Sequence, residues 1–120
     1  TSALAGNVRR LILDLGWSQV ELARRAGLAQ KTVNDLLNYG RTAKKTPTLA
    51  TIEALAAAFD ISPWRLQIPD LQLGLLKDRR VDKLVENFRD ASDMGRENVL
   101  RIAEIEVRSQ VALESEKKAG

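Results

Sequence analysis

GLAQKTVNDLLNYG, residues 27–40, decides how this chain is read. Val33, Leu36 and Leu37 fall at the i, i+3, i+4 spacing of a buried helical stripe. Between and before them stand Gln30, Lys31, Thr32, Asn34 and Asp35. A plain surface helix favours Glu, Lys and Arg in i, i+4 pairs. Amides and a hydroxyl, which both donate and accept hydrogen bonds, suit a helix that reads another polar surface.

The residues before this stretch set its geometry. In WSQVELARRAG, residues 17–27, Ser18 is an N-cap and Glu21 completes a capping box. Trp17 and Leu22 form a hydrophobic staple across the same helix start. Gly27 stops the helix, leaving Leu28 and Ala29 before the next one starts near Gln30. Two helices joined by about three residues that include a Gly must cross sharply, which is the helix-turn-helix pattern. Ala23 has to be small where the two cross, and Gly27 suits a left-handed turn.

Further out, residues 4–15 predict a first helix with Leu4, Val8, Leu11, Ile12 and Leu15 on one face, ended by Gly16. Helix three ends near Asn38, and the polar, basic stretch YGRTAKKTPT follows as a loop. Thr48 caps a fourth helix that buries Leu49, Ile52, Leu55, Ala56 and Phe59. In DISPWRL a short fifth helix starts at Ser62 and Pro63, with Ile61 stapled to Leu66. Residues 69–78 read as a connector. A sixth helix follows over about 79–90, and a seventh from Ser92 to about 113, before a charged, frayed end at ESEKKAG.

Composition narrows the function. The chain of 120 residues has no Cys and no His, so thiolate chemistry, the usual general base and the commonest metal ligand are missing. No cofactor or metal site is visible, no Gly-rich phosphate loop is present, and no motif pairs carboxylates for acid–base work. An enzyme is therefore not expected. No apolar run approaches the roughly 18 residues of a membrane span and no signal-peptide pattern opens the chain, so a cytoplasmic protein is expected. The net charge of +3 is uneven. Residues 1–70 carry nine Lys/Arg against six Asp/Glu, whereas residues 71–120 carry ten of each. Arg24, Arg25, Lys31, Arg41, Lys44 and Lys45 face only Asp35 within 24–45, a surplus that suits a polyanion partner. A solvated basic surface is the plain alternative.

These residues carry a resemblance. SQVELARRAGLAQKTVNDLLNYG is similar to the helix-turn-helix of the phage-repressor (XRE-like, lambda-repressor-like) family at Gln19, Glu21, Leu22, Ala23, Gly27, Thr32, Val33 and Leu36. TPTLATIEALAAAFDISPWRL resembles that family's fourth and fifth helices, so the likeness spans roughly residues 5–68. It implies an all-α protein: a five-helix lambda-repressor-like helix-turn-helix domain over 1–68, then the connector, then two C-terminal amphipathic helices within 79–120. It also implies double-stranded DNA as the partner. In the family the residue at Gln19 binds a phosphate and buttresses the first residue of the recognition helix. Ala29 departs from the family, which often caps helix three with Ser or Thr, and the change forfeits roughly 1 kcal/mol.

With helix three in the major groove, Gln30 and Asn34 can pair with adenine, Lys31 with guanine, Thr32 with a thymine methyl or a phosphate, and Asp35 with cytosine N4. Asp35 has two other readings, repelling phosphate or offsetting Lys31. Backbone contacts are expected from Gln19, Arg9, Arg10, Asn38, Tyr39, Arg41, Lys44 and Lys45, which position rather than specify. Ala23, Gly27, Val33 and Leu36 form the structural heart of the motif.

A lone helix-turn-helix binds a half-site weakly, and dimers on palindromes are the usual solution. Val81, Leu84, Val85 and Phe88, with Val99, Ile102 and Ile105, are the expected homodimer interface, although their spacing is no clean heptad. The expected function is a dimeric repressor of a phage or prophage-like operator. The alternative is an antitoxin-type adaptor whose C-terminal helices bind a partner protein, and a protein antirepressor is a further possible partner. The self-cleaving repressors' β-rich peptidase domain does not fit so short and helical a chain, and RNA-binding modules use aromatic platforms that are missing here.

Overall fold

The computed structural model describes residues 2–39, 46–70 and 72–119. The chain is all-α, an N-terminal helix-turn-helix domain followed by further helices. It divides into two compact units, residues 1–79 and 80–120.

The first unit contains α1 (Ala3–Leu15), α2 (Gln19–Ala26), α3 (Gln30–Leu37), α4 (Leu49–Phe59), a 3-10 helix (Pro63–Gln67) and α5 (Leu73–Lys77). Local signals set most of the helix ends. Ser2, Ser18 and Thr48 each accept a hydrogen bond from a backbone N–H of the first turn of α1, α2 and α4. Helices α1, α2 and α4 stop at Gly16, Gly27 and Asp60, all left-handed. After each, the next N–H returns to a carbonyl five residues back: Trp17 to Ile12, Leu28 to Ala23 and Ile61 to Ala56, at 2.9–3.0 Å. Those three side chains turn inward and pack on the core, as the hydrophobic partner of this kind of helix end does.

The core joins α1 (Leu4, Val8, Leu11, Ile12), α2 (Leu22, Ala23), α3 (Val33, Leu36, Leu37) and α4 (Ile52, Leu55, Ala56), closed by Leu66 and Leu76. Trp17 stacks on Phe59 with ring centroids 5.6 Å apart, tying the start of α2 to the end of α4. Among the described residues, two polar side chains are buried as deeply as the leucines. Asn7, 1% exposed, donates through Nδ2 to the carbonyls of Leu66 (2.7 Å) and Ile68 (2.9 Å). Arg65, also 1% exposed, donates to the carbonyls of Leu76 (3.1 Å) and Asp78. Both bind backbone carbonyls where a helix ends, at Leu66 and Ile68 and at Leu76 and Asp78.

The structure departs from the sequence reading in several places. Leu15 and Leu49 have the right spacing but sit at helix ends beyond the core, 39% and 65% exposed. The fifth helix is a 3-10 helix of five residues. The stretch expected as a connector holds α5, whose Leu76 is fully buried and whose end is gripped by Arg65. The capping box is half formed: Ser18 caps Glu21, but the Glu21 carboxylate turns to Arg24 and Arg25.

The second unit, from Arg80 on, is a helical hairpin of α6 (Arg79–Asp90), whose first residue belongs to the first unit, and α7 (Asp93–Ala119). Ser92 caps α7, its hydroxyl accepting from Gly95 N–H at 3.1 Å. Arg96 holds the hairpin closed, donating to the carbonyls of Phe88 (2.9 Å) and Arg89 (2.8 Å). The end expected to fray from Glu114 onward is helical to Ala119.

Leu76→Ala is expected to cost about 2–5 kcal/mol of stability, as for other fully buried leucines. Urea unfolding of the full chain checks it. A loss under about 0.5 kcal/mol would show that α5 is no part of the core.

Candidate nucleic-acid interface

α3 is short, and its two faces differ completely. Val33, Leu36 and Leu37 are 1%, 3% and 0% exposed, whereas Gln30, Lys31 and Asn34 are exposed. The separation follows from how α2 ends. Gly27 stands at φ +67°, and a Cβ there would meet nothing within 4 Å. Backbone conformation rather than crowding therefore demands the glycine. Ala23, 2% exposed, lets α3 cross close over α2. The carbonyl of Leu37 at the far end of α3 accepts from Arg9 Nη2 at 2.9 Å, so α1 caps the recognition helix.

The expected reading residues divide into two groups. Gln30, Lys31 and Asn34 share the outward face at i, i+1, i+4 spacing. Thr32 and Asp35 are half-buried and face a groove they share with Leu36, Thr46, Pro47, Thr48 and Thr51. Asp35 accepts from Lys31 Nζ at 2.9 Å. Of the readings left open for Asp35, offsetting Lys31 is the contact present. Thr46 and Thr51 were not singled out from sequence, although the TPT run before α4 signals a Thr-rich helix start beside α3.

The expected backbone contacts also divide. Gln19 is exposed at the first position of α2, near the amides of that helix end, and no hydrogen bond joins it to Gln30. Asn38 donates to the carbonyl of Asn34 (2.8 Å) and to its Oδ1 (3.1 Å), so it braces a reading residue. Tyr39 is half-buried and lines a groove with Leu4, Pro47 and Ile52. Arg9 and Arg10 are tied to the protein, Arg9 to the Leu37 carbonyl and Arg10 to Asn7 Oδ1, so their guanidiniums brace α1, α3 and Asn7. Arg41, Lys44 and Lys45 lie outside the described residues. Of the expected dimer residues, Val81, Phe88 and Val99 are half-buried, whereas Leu84, Val85, Ile102 and Ile105 are exposed.

Glu21 organises the charge on α2. Its carboxylate accepts from Arg24 and Arg25, both at 2.6 Å. Those hydrogen bonds, Arg24 first and Arg25 second, hold its pKa at about 2 against an ordinary 4.5. The Arg25 guanidinium also lies 4.4 Å from the Trp17 ring centroid. A depressed folded-state pKa favours the fold above the ordinary value, and the benefit disappears as pH falls through the folded one. By NMR the Glu21 carboxyl is expected to titrate near pH 2. In Arg24→Ala it should move up toward its ordinary value; an unmoved midpoint would show that Arg24 is not the cause.

Comparison with known proteins agrees with this geometry. No curated protein and no solved structure matches the chain significantly. The helix-turn-helix family model matches residues 8–63, which run from the core of α1 through the start of the 3-10 helix. The matched span takes in the Gly27 turn and the whole of α3. Members of that family are non-catalytic DNA-binding domains. Over residues 8–63 the chain carries a helix-turn-helix DNA-binding domain of the XRE-like family.

Proposed function

We propose that the chain is a sequence-specific transcriptional repressor that binds a palindromic operator of the phage or prophage type as a homodimer. One observation carries the reading. The polar side chains Gln30, Lys31 and Asn34 stand outward on a helix whose other face is locked in the core. Such a helix can enter the major groove and present bidentate amides and a cation to base edges. Lys31 leaves Asp35 to reach guanine, a small loss because exposed pairs are worth about 0–1 kcal/mol. Thr32 and Asp35 work at the edge of the groove beside α4. Gln19, Asn38 and Tyr39 hold the phosphate backbone together with Arg41, Lys44 and Lys45, while Arg9 supports the end of α3 and Arg10 braces Asn7. Helices α6 and α7 supply the dimer contact. The antitoxin-type reading is supported by the exposed apolar residues of α7, which suit a protein partner of another kind, and co-purification of a second polypeptide would favour it.

Selection from random duplexes is expected to yield a two-fold motif. Asn34→Ala should weaken binding to it by about 1–3 kcal/mol and relax preference at one position of each half-site. Lys44→Ala should weaken binding equally on all sequences and reduce the salt slope by about 1. Titrations by fluorescence anisotropy at several salt concentrations separate the two. Equal affinity of the parent for selected and scrambled duplexes would overturn the reading.

A further inference from the structure

α7 outlasts its hairpin partner. α6 has 12 residues and α7 has 27. Ala91, Gly95, Arg96 and Val99 are half-buried near the hairpin turn, but from Leu100 to Ala119 every residue is exposed. An isolated helix of that kind is marginal in water and gains its stability from packing. Within the bare stretch Leu100, Ala103, Val107 and Val111 form one stripe, the three larger residues 56%, 63% and 56% exposed. Leu100, Ala103, Glu104, Val107 and Arg108 line a single shallow groove along it.

We propose that a second copy of the chain sits on this stripe, with the two α7 helices packed antiparallel about a two-fold axis between Ile105 and Glu106. The proposal rests on the dimer reading and narrows its contact to one face and one direction of α7, without Ile102 and Ile105 of the expected interface. Positions 100, 103, 104, 107, 108 and 111 map onto themselves when the helix is reversed, so Leu100 meets Val111 of the second copy. Charge selects the direction. The antiparallel arrangement sets each Glu104 beside Arg108 of the other copy, and the i,i+4 pair within each helix, 3.7 Å apart, becomes an alternating cluster of four charges. A parallel two-fold sets Glu104 against Glu104 and Arg108 against Arg108. Sliding the antiparallel pair by one turn, so that Leu100 meets Val107, again brings the two Glu104 together. Ala103 near the axis allows close approach of the helices. Ile102 and Ile105 lie on the far side of α7, in a stripe broken at Ser109, and stay outside the seam.

The chain has no cysteine, so single thiols can be introduced at will. Full-length Leu100→Cys and Val111→Cys chains, each altered at an exposed site, are oxidised separately and as an equal mixture. Light scattering on the same samples gives the mass. A disulfide-linked dimer is expected in the mixture alone, because same-site sulfurs in the antiparallel pair are separated by about 16 Å along the axis and a disulfide needs Cα atoms within about 7 Å. Cross-linking of each variant by itself would overturn the direction. A dimeric mass without a cross-link in the mixture would overturn the seam and leave the dimer reading standing. A monomeric mass would overturn both.

Discussion

The turn at Gly27 decides where α3 can lie. The Leu28 amide returns to the Ala23 carbonyl at 2.9 Å, which a right-handed residue at position 27 would not allow. A side chain at φ +67° would cost about 1–2 kcal/mol. With that turn made, Leu28 points inward and α3 starts two residues later, rotated so that Val33, Leu36 and Leu37 meet α1 and α2. Gln30, Lys31 and Asn34 are outward as a consequence. The same turn is built at Gly16 and Asp60, so one backbone device places α2, α3 and the 3-10 helix in succession. Asp is among the few side chains that tolerate the left-handed region, and the Asp60 carboxylate there pairs with Arg79, at the end of the same unit.

The parts legible in the sequence are those with local causes. Ser18, Gly27 and Thr48 act on amides and carbonyls within a turn of themselves, so a linear reading finds them. The core stripes of α1 to α4 are legible because period and burial coincide over several turns. Asn7 sits three residues after Leu4 on the same stripe, but a polar letter there reads as surface until its carbonyl partners at 66 and 68 are known. Arg65 escapes for the same reason, its partners lying 11 and 13 residues on. α5 has five residues, too few to show a period. Leu15 and Leu49 show the opposite error, since spacing says which face a residue is on but not where along the axis the core stops.

The candidate site was legible in outline and not in its pairings. That α3 would present Lys31 and Asn34 away from the Val33, Leu36 and Leu37 stripe follows from helical geometry, whereas Gln30, seven residues before Leu37, is exposed because it starts the helix. That Arg9 turns back to cap α3, or that Thr32 and Asp35 face the start of α4, depends on segments far away in sequence. These pairings alter the electrostatic argument. The basic surplus of residues 24–45 is partly answered within the protein, Arg24 and Arg25 by Glu21 and Lys31 by Asp35. All three cations are exposed, so the pairs fix side-chain positions at little net energy. A polyanion that offers many charges along one line can take them over with small loss, because counterion release adds to each contact it makes.

The proposed seam has a consequence for the second unit. From Leu100 to Ala119 every residue of α7 is exposed, and a helix so exposed gains stability from whatever covers it. If the cover is a second α7, the order of that segment and the association of the chains are one equilibrium, dependent on protein concentration. The first unit has its own core and does not share that dependence. Dilution would then leave a folded reading head on an incompletely ordered tail, able to hold one half-site but not two. Since joining two binding modules multiplies affinity by their effective concentration, operator occupancy would fall more steeply than the affinity of one domain requires. The switch would need no effector site, because the concentration of the chain itself sets the fraction in the two-headed form.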